Sequence, residues 1–170
     1  MGFIMLEESQ LIKDGVLNVV KLMAIAAKTA PKARGVDNIT IAVLITRDEL
    51  ERLASKMEGL ADEYGQFLKR DAKNVRESDA VVLIGAKVID IGLKSPPEYK
   101  VDINTVAALL NLGIALGSAV KIASILNVDN RIMYSIGIAA QKLKILDADY
   151  IIGIPVSVRG KNIYFDRKVK

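Results

Sequence analysis

The sequence predicts a single α+β domain over residues 1–170, with a mixed or antiparallel sheet between helices. Three observations lead to this prediction. Two short runs, 39–45 and 80–84, are uncharged and rich in β-branched residues, which is typical of buried strands. Longer stretches place apolar residues at helical spacing, and hydrophobic residues make up 51% of the chain, enough for a sizeable core. One stretch, Ile103–Leu126, is almost free of charge and predicts a long central helix.

The first half of the chain predicts two helical regions around the first strand. Glu7–Thr29 keeps a helical rhythm of apolar residues and ends before Pro31, because the residue before a proline avoids the helical conformation. The segment Thr46–Glu49 is a capping box, in which threonine and glutamate side chains satisfy each other's free backbone N–H groups. The helix that it starts is expected to bend or break at Gly59 and Gly65.

The second half predicts further elements on both sides of the central helix. Ser95–Glu98 contains two prolines and is the clearest break in the chain. Pro155 lacks an N–H group, which predicts an edge or a bulge for its strand. The remaining elements are a strand or loop at Lys87–Leu93, a helix at Arg131–Ile145, a strand at Tyr150–Ile154 and a last short strand at Ile163–Phe165.

Composition excludes several kinds of chemistry. The chain has no cysteine and no histidine, which excludes disulfides, zinc–thiolate sites, cysteine-held iron–sulfur clusters and histidine bases. A net charge of +4 is compatible with an anionic ligand and is weak evidence for nucleic acid. The first residues do not resemble a signal peptide, so we expect a cytoplasmic protein. Many Ile, Lys and Glu residues are typical of thermophiles.

The central helix carries apolar residues all around, so it is buried either in protein or in lipid. Asn104, Asn111 and Lys121 favour protein. Gly113 and Gly117 lie four residues apart, a spacing that lets another backbone approach closely. This seam is either packed inside the chain's own core or lies at a homodimer interface. We favour the homodimer, because one chain of this size rarely surrounds a helix on every side.

Two loops combine cations with glycine. In the first basic loop, Lys32, Arg34 and Gly35 follow a helix end and could hold a phosphate, or the cations could satisfy the last helix carbonyls. The second basic loop contains Arg159 and Lys161 around a glycine, and by itself it is typical of a surface turn. If the two loops met in space, they would form one anion site. No metal site is predicted.

Four stretches carry a resemblance over nearly the whole chain: 26–38, 111–120, 128–137 and 160–167. Together they resemble an uncharacterised prokaryotic family of proteins described as containing a ferredoxin domain. That family has a cysteine cluster just before the central helix, where this sequence has residues 92–99 without a cysteine. An iron–sulfur cluster is therefore not expected here.

A more distant resemblance is to flavin-dependent nitroreductases. Ala30-Pro31 leads into a strand, Asn111–Ala115 partly matches the helix at their dimer interface, and Gly153-Ile154-Pro155 resembles their closing strand. The resemblance implies a homodimeric oxidoreductase with FMN surrounded by the cations of the two basic loops, namely Lys32, Arg34, Arg159 and Lys161. The arginine-rich N-terminal motif of nitroreductases has no counterpart. One alternative is a non-catalytic homodimeric scaffold that has lost its cofactor, and a weaker one is nucleic-acid binding.

Overall fold

A computed structural model of the protein describes residues 5–165. The helices are α1 (Glu8–Thr29), α2 (Arg47–Gly59), α3 (Ala61–Tyr64), α4 (Phe67–Glu77), α5 (Ile103–Ile125) and α6 (Tyr134–Lys142). The strands are β1 (Ile39–Leu44), β2 (Ala80–Ala86), β3 (Asp129–Asn130) and β4 (Tyr150–Ser157). A short 3₁₀ turn covers Ala33–Gly35.

The sheet has four strands in the order β1-β2-β4-β3, and every pair of neighbours is antiparallel. Ile41 of β1 pairs with Ile84, and Val82 of β2 pairs with Ile154. All seven residues of β2 are buried, as expected for an uncharged strand with neighbours on both sides. The predicted mixed or antiparallel sheet is therefore fully antiparallel.

Helices cover both faces of the sheet, which confirms the predicted α+β arrangement. Successive residues of a strand point to opposite faces, so Val82 and Ile84 pack with α1 and α5. Val81 and Leu83 point the other way and pack with α2, α4 and α6. Each face has its own hydrophobic core, and β2 contributes to both.

The predicted capping box is present at the start of α2. Thr46 accepts a hydrogen bond from the backbone N–H of Glu49 at 3.2 Å. The Glu49 carboxylate accepts the N–H groups of Thr46 and Ile45, and these hydrogen bonds lower the pKa of Glu49. The predicted interruptions are also confirmed, because α2 ends at Gly59 and Gly65 separates α3 from α4 with φ of 121°.

Pro155 lies in an inner strand, so the predicted edge position is wrong. Gly153 exchanges two backbone hydrogen bonds with Met133 on the side away from β2. Backbone groups alternate along a strand, so the nitrogen of Pro155 faces that same side. β3 ends at Asn130, which pairs with Val156 of β4. The ladder between β3 and β4 is therefore interrupted at Pro155, the position at which an N–H donor would be needed and proline has none.

The structure also tests the remaining predicted elements. Residues 87–93, for which the sequence left a strand or a loop open, form a loop whose backbone is satisfied in part by side chains: the N–H of Val88 donates to Asp149. The helix predicted at 131–145 is shorter at both ends and spans only α6. The predicted last strand at Ile163–Phe165 is wrong, since these residues form a turn.

Tyr164 anchors this final turn to the core. Its side chain is buried, and its hydroxyl lies 2.9 Å from Ser78 Oγ. Ser78 gives its own proton to the carbonyl of Asn74, so Tyr164 is the donor. Burial raises the pKa of Tyr164 to about 12.

Tyr164 is expected to make the protein sensitive to alkali. Its pKa is about 10 in the unfolded chain and about 12 in the folded one, so folding favours the protonated phenol. Its contribution to stability is therefore complete below pH ~10 and is lost as the pH rises towards ~12. Urea unfolding at pH 8 and pH 11 should show a smaller loss of stability for Tyr164→Phe than for the wild type. An equal loss in the two proteins would contradict this prediction.

Candidate functional site

The first basic loop is fixed to the middle of α5 by a buried polar network. Asn111 of α5 accepts the backbone N–H of Ala33 at 2.8 Å and donates to Asn38 Oδ1 at 2.9 Å. Asn38 in turn donates to the carbonyl of Lys87 at 2.6 Å. The two asparagines are buried, and each is satisfied by groups far away in sequence. Sequence patterns did not single out either residue for this role.

Lys32 caps the end of α1. Its ammonium group donates to the carbonyl of Ala30 at 2.9 Å and also to that of Lys28. The side chain is only 8% exposed. Lys28 lies in the last turn of α1 and Ala30 is its C-cap residue, so the lysine satisfies carbonyls at the helix end and faces the negative end of the helix dipole.

Arg34 is exposed and only partly engaged. Its backbone has φ of 53°, an uncommon conformation for a residue other than glycine. One guanidinium nitrogen, Nη1, donates to the carbonyl of Ile91 at 2.7 Å. Towards the described residues, Nη2 and Nε make no hydrogen bond, so one edge of the guanidinium is available to a ligand. Gly35 follows with φ of 69° and continues the tight turn.

In the second basic loop, Arg159 is bound to Asp79. Both terminal nitrogens of Arg159 donate to the two carboxylate oxygens, at 2.7 and 2.8 Å. This paired hydrogen bond raises the pKa of Arg159, and the same carboxylate accepts the N–H of Val158. Lys161 is exposed and forms no salt bridge within residues 5–165.

The two basic loops lie at opposite ends of the sheet within one chain. The first loop leads into Ile39, which pairs with Ala86 at the end of β2. The second follows β4, whose Val156 pairs with Ala80 at the start of β2. Six residue steps separate these ends, about 20 Å along an antiparallel strand. One chain therefore does not bring the two loops together.

A cleft runs beside the first half of α1, on the side of the second loop; we call it the α1 cleft. It comprises a cavity of about 470 Å³ and a neighbouring open depression of about 570 Å³. Ser9 and Ile12 of α1 line both. Their remaining polar walls include Lys13, Arg47, Asp79 and Arg159.

Lys13, Arg47 and Asp79 carry no sequence signal that identifies them as wall residues of this cleft. Each stands alone among ordinary helix or loop residues, and only the fold brings them together. Arg47 donates to the carbonyl of Ser78 at 2.8 Å and lies 3.7 Å from Asp79, which orders this wall. Among the described residues, no three Asp or Glu side chains are grouped so that they could hold a metal ion.

The side of α5 that faces away from the sheet is largely apolar, and no described residue covers it. Leu109, Leu110 and Ile114 are exposed there, and Leu110 is 61% exposed. Among the residues that the structure describes, a Cβ added to Gly113 or Gly117 would meet no atom within 4 Å, so their packing requires neither glycine. We call these five residues the open face of α5. Within residues 5–165, α5 is the one helix long and apolar enough to cross a membrane, and 44% of its most apolar window is buried.

Comparison with solved structures defines the fold as nitroreductase-like. B. megaterium NfrA1 has a TM-score of 0.61 at 13% identity, over 91% of this chain and 62% of its own length. A BluB-like flavoprotein from Clostridium difficile 630 gives 0.59 at 16% identity, over 99% and 88%. A nitroreductase with bound FMN from Bacteroides fragilis NCTC 9343 gives 0.63 at 11% identity, over 90% and 82%. The chain spans about three fifths of NfrA1.

Sequence comparison identifies the family. Residues 102–167 match the family described as "Uncharacterized protein containing a ferredoxin domain (DUF2148)". An uncharacterized protein from Archaeoglobus fulgidus is 42% identical over 183 aligned positions, covering 98% of this chain and 99% of the relative. The chain belongs to this family, as the sequence resemblance indicated.

Proposed function

We propose that the protein is a homodimeric, FMN-binding oxidoreductase. The observation that carries this proposal is the open face of α5 in a nitroreductase-like fold. Solved structures with this fold include nitroreductases with bound FMN from Bacteroides fragilis and Desulfitobacterium hafniense. Cytoplasmic location remains a prediction.

The open face supports association with a second copy. An uncovered apolar stripe on a helix costs free energy in water, and burying it is favourable by about 25 cal/mol per Å². Gly113 and Gly117 would let a second helix approach closely, since within residues 5–165 no atom outside the helix's own backbone lies within 4 Å of a Cβ built on either glycine. The five residues of this face are uncharged, and exposed Lys121, four residues after Gly117, lies at its end.

A dimer would also allow both basic loops, which are separated within one chain, to contribute to one site. Within one chain the two loops adjoin opposite ends of β2, which are about 20 Å apart along the strand. A site that uses both loops therefore needs the first loop of one chain and the second loop of the other. We propose this shared arrangement for the cations that the resemblance assigned to FMN, namely Lys32, Arg34, Arg159 and Lys161.

The cations of the two basic loops differ in how free they are to bind the phosphate of a flavin. Arg34 has a free guanidinium edge and Lys161 is exposed, so both could bind a phosphate. Arg159 lines the α1 cleft and could contribute a third positive charge while it remains bound to Asp79. Lys32 is occupied with the end of α1 and would act mainly by holding the loop. The α1 cleft has the size of ordinary small-molecule sites.

Bound FMN would supply electron transfer, chemistry that requires neither histidine nor cysteine from the chain. The chain's own residues would bind and orient the flavin. Positive charges would hold its phosphate, and apolar side chains would exclude water from the ring. Gly35, with φ of 69°, would let the loop backbone approach the ligand closely.

The purified protein should show the visible absorption bands of a flavin, or acquire them when FMN is added. At an FMN concentration one hundred times Kd, binding would stabilise the folded state by about 2.7 kcal/mol and raise Tm by about 5–10 °C. Absorption spectroscopy and calorimetry measure both effects. A colourless protein whose Tm does not respond to FMN would contradict the proposal.

A second candidate function is a homodimeric scaffold without cofactor. It is favoured by the engagement of Lys32 with helix carbonyls and of Arg159 with Asp79, because both cations already have partners inside the chain. This candidate expects the same dimer and no response to FMN. The spectroscopic experiment therefore separates the two candidates.

A further inference from the structure

Arg34 is held by a backbone clamp in the loop that joins β2 to α5. Its Nη1 donates to the Ile91 carbonyl at 2.7 Å and lies 3.5 Å from the Gly92 carbonyl. Gly92 has φ of 67°, and a Cβ built on it would lie 3.0 Å from the same nitrogen. A side chain at position 92 would therefore strain the backbone and displace the guanidinium.

The clamp is itself fixed to α5. The N–H of Ile91 donates to Asn104 Oδ1 at 3.1 Å, and the N–H of Gly92 donates to Asp90 at 2.8 Å. Ile91 is buried, so its position is set by packing as well as by hydrogen bonds. Asn104 lies in the first turn of α5, which Asp102 caps by accepting the N–H of Thr105.

The same helix holds the other side of Arg34. Asn111 accepts the N–H of Ala33, the residue immediately before the arginine. Asn104 and Asn111 are seven residues apart, about two helical turns, so they lie on the same side of α5. Arg34 is thus fixed at its backbone through Asn111 and at its guanidinium through Asn104 and the clamp.

We propose that Gly92, Asn104 and Asn111 are positioning residues for an anion site at Arg34. They hold one edge of the guanidinium on the clamp and present the other edge, Nη2 and Nε, to the phosphate group of FMN. An arginine ordered before binding loses less conformational entropy when it meets its ligand. The assignment rests on the proposed flavin function, and it names the group that the arginine recognises.

The test compares FMN with riboflavin, which lacks the phosphate. In the full-length protein, Arg34→Asn should weaken FMN binding about 10- to 100-fold, the range expected for a lost charge-assisted hydrogen bond. Asparagine tolerates the left-handed backbone at this position. Gly92→Ala should weaken FMN binding in the same direction, and riboflavin binding should be unchanged in both variants. Gly15→Ala is the matched control, since a Cβ there meets nothing within 4 Å.

A double-variant cycle distinguishes positioning from general damage. If Gly92 acts through Arg34, Gly92→Ala should have no further effect on FMN affinity in the Arg34→Asn background. Asn104→Leu removes the acceptor for the N–H of Ile91. It should weaken FMN binding as Gly92→Ala does, and it replaces that variant in the experiment if Gly92→Ala does not fold. Any of three results would overturn the assignment alone. These are additive losses of FMN affinity in the double variant, equal losses of FMN and riboflavin affinity, and an Arg34→Asn variant that binds FMN as tightly as the wild type. A wild type that binds neither flavin would overturn the proposed function and this assignment with it.

Discussion

Replacing Leu110 by glutamate is expected to convert the proposed homodimer into a monomer. Leu110 is 61% exposed on the open face of α5, about one turn before Gly113 and Ile114. In a dimer with two-fold symmetry, each chain would bring the same residue to the interface. One substitution would therefore remove two apolar side chains and bury two carboxylates without a partner.

The size of this effect follows from ordinary transfer energies. Losing the burial of a leucine costs about 1.5–3 kcal/mol, and two copies double this value. Burying unpaired carboxylates adds to the cost, since a charge without a partner loses its hydration. Even about 4 kcal/mol would raise the dimer dissociation constant about a thousandfold. Analytical ultracentrifugation over a range of protein concentrations measures this change.

Tyr134→Glu provides the matched control. Tyr134 is also 61% exposed, but it lies at the start of α6, on the opposite side of the sheet. It should leave the sedimentation of the dimer unchanged. A wild type that sediments as a monomer, or a Leu110→Glu variant that still dimerises as tightly as the wild type, would refute the interface. If the flavin site is shared between chains, the monomeric variant should also lose FMN affinity.

The sequence predicted those elements whose signals are local. Thr46 and Glu49 cap α2 because both partners of the capping box lie within one turn. The uncharged run at Ala80–Ile84 identified the central strand, since a strand buried on both faces needs apolar residues throughout. The strand predicted at Ile163–Phe165 was wrong because the conformation of this segment depends on a residue that is distant in sequence. The hydroxyl of Tyr164 contacts Ser78, and this contact fixes a turn.

The candidate site could be predicted only as a set of residue types. Cations and glycines in the two loops were visible, but the register of β1, β2 and β4 places these loops at opposite ends of the sheet. The partners that decide how each cation is used are also remote. Asp79 lies 80 residues before Arg159, and Ile91 lies 57 residues after Arg34. Hydrogen bonds over such separations depend on the tertiary fold, which spacing along the chain does not encode.

Gly137→Ala is expected to be the most destabilising single-methyl change in the described part of the chain. A Cβ on Gly137 would lie 1.8 Å from the carbonyl oxygen of Ile151 and 2.7 Å from its carbonyl carbon. Both atoms belong to the backbone of β4, so they cannot rotate away as a side chain would. The neighbouring contact between Ile136 of α6 and Gly153 of β4 is almost as close, because a Cβ on Gly153 would lie 2.0 Å from Ile136 Cγ2.

Relief of this clash requires α6 to move away from the sheet. Ile136, Ala139 and Ala140 on the inner face of α6 are fully buried, and outward movement of the helix would open gaps around them. We expect a loss of about 3 kcal/mol or more in the free energy of unfolding, which lowers Tm by about 6–12 °C. Gly15→Ala makes the same chemical change inside α1, where a Cβ has open space, and should stabilise by up to about 1 kcal/mol. Urea unfolding of the two variants measures the difference, and equal stabilities would show that α6 does not pack on β4 at this distance.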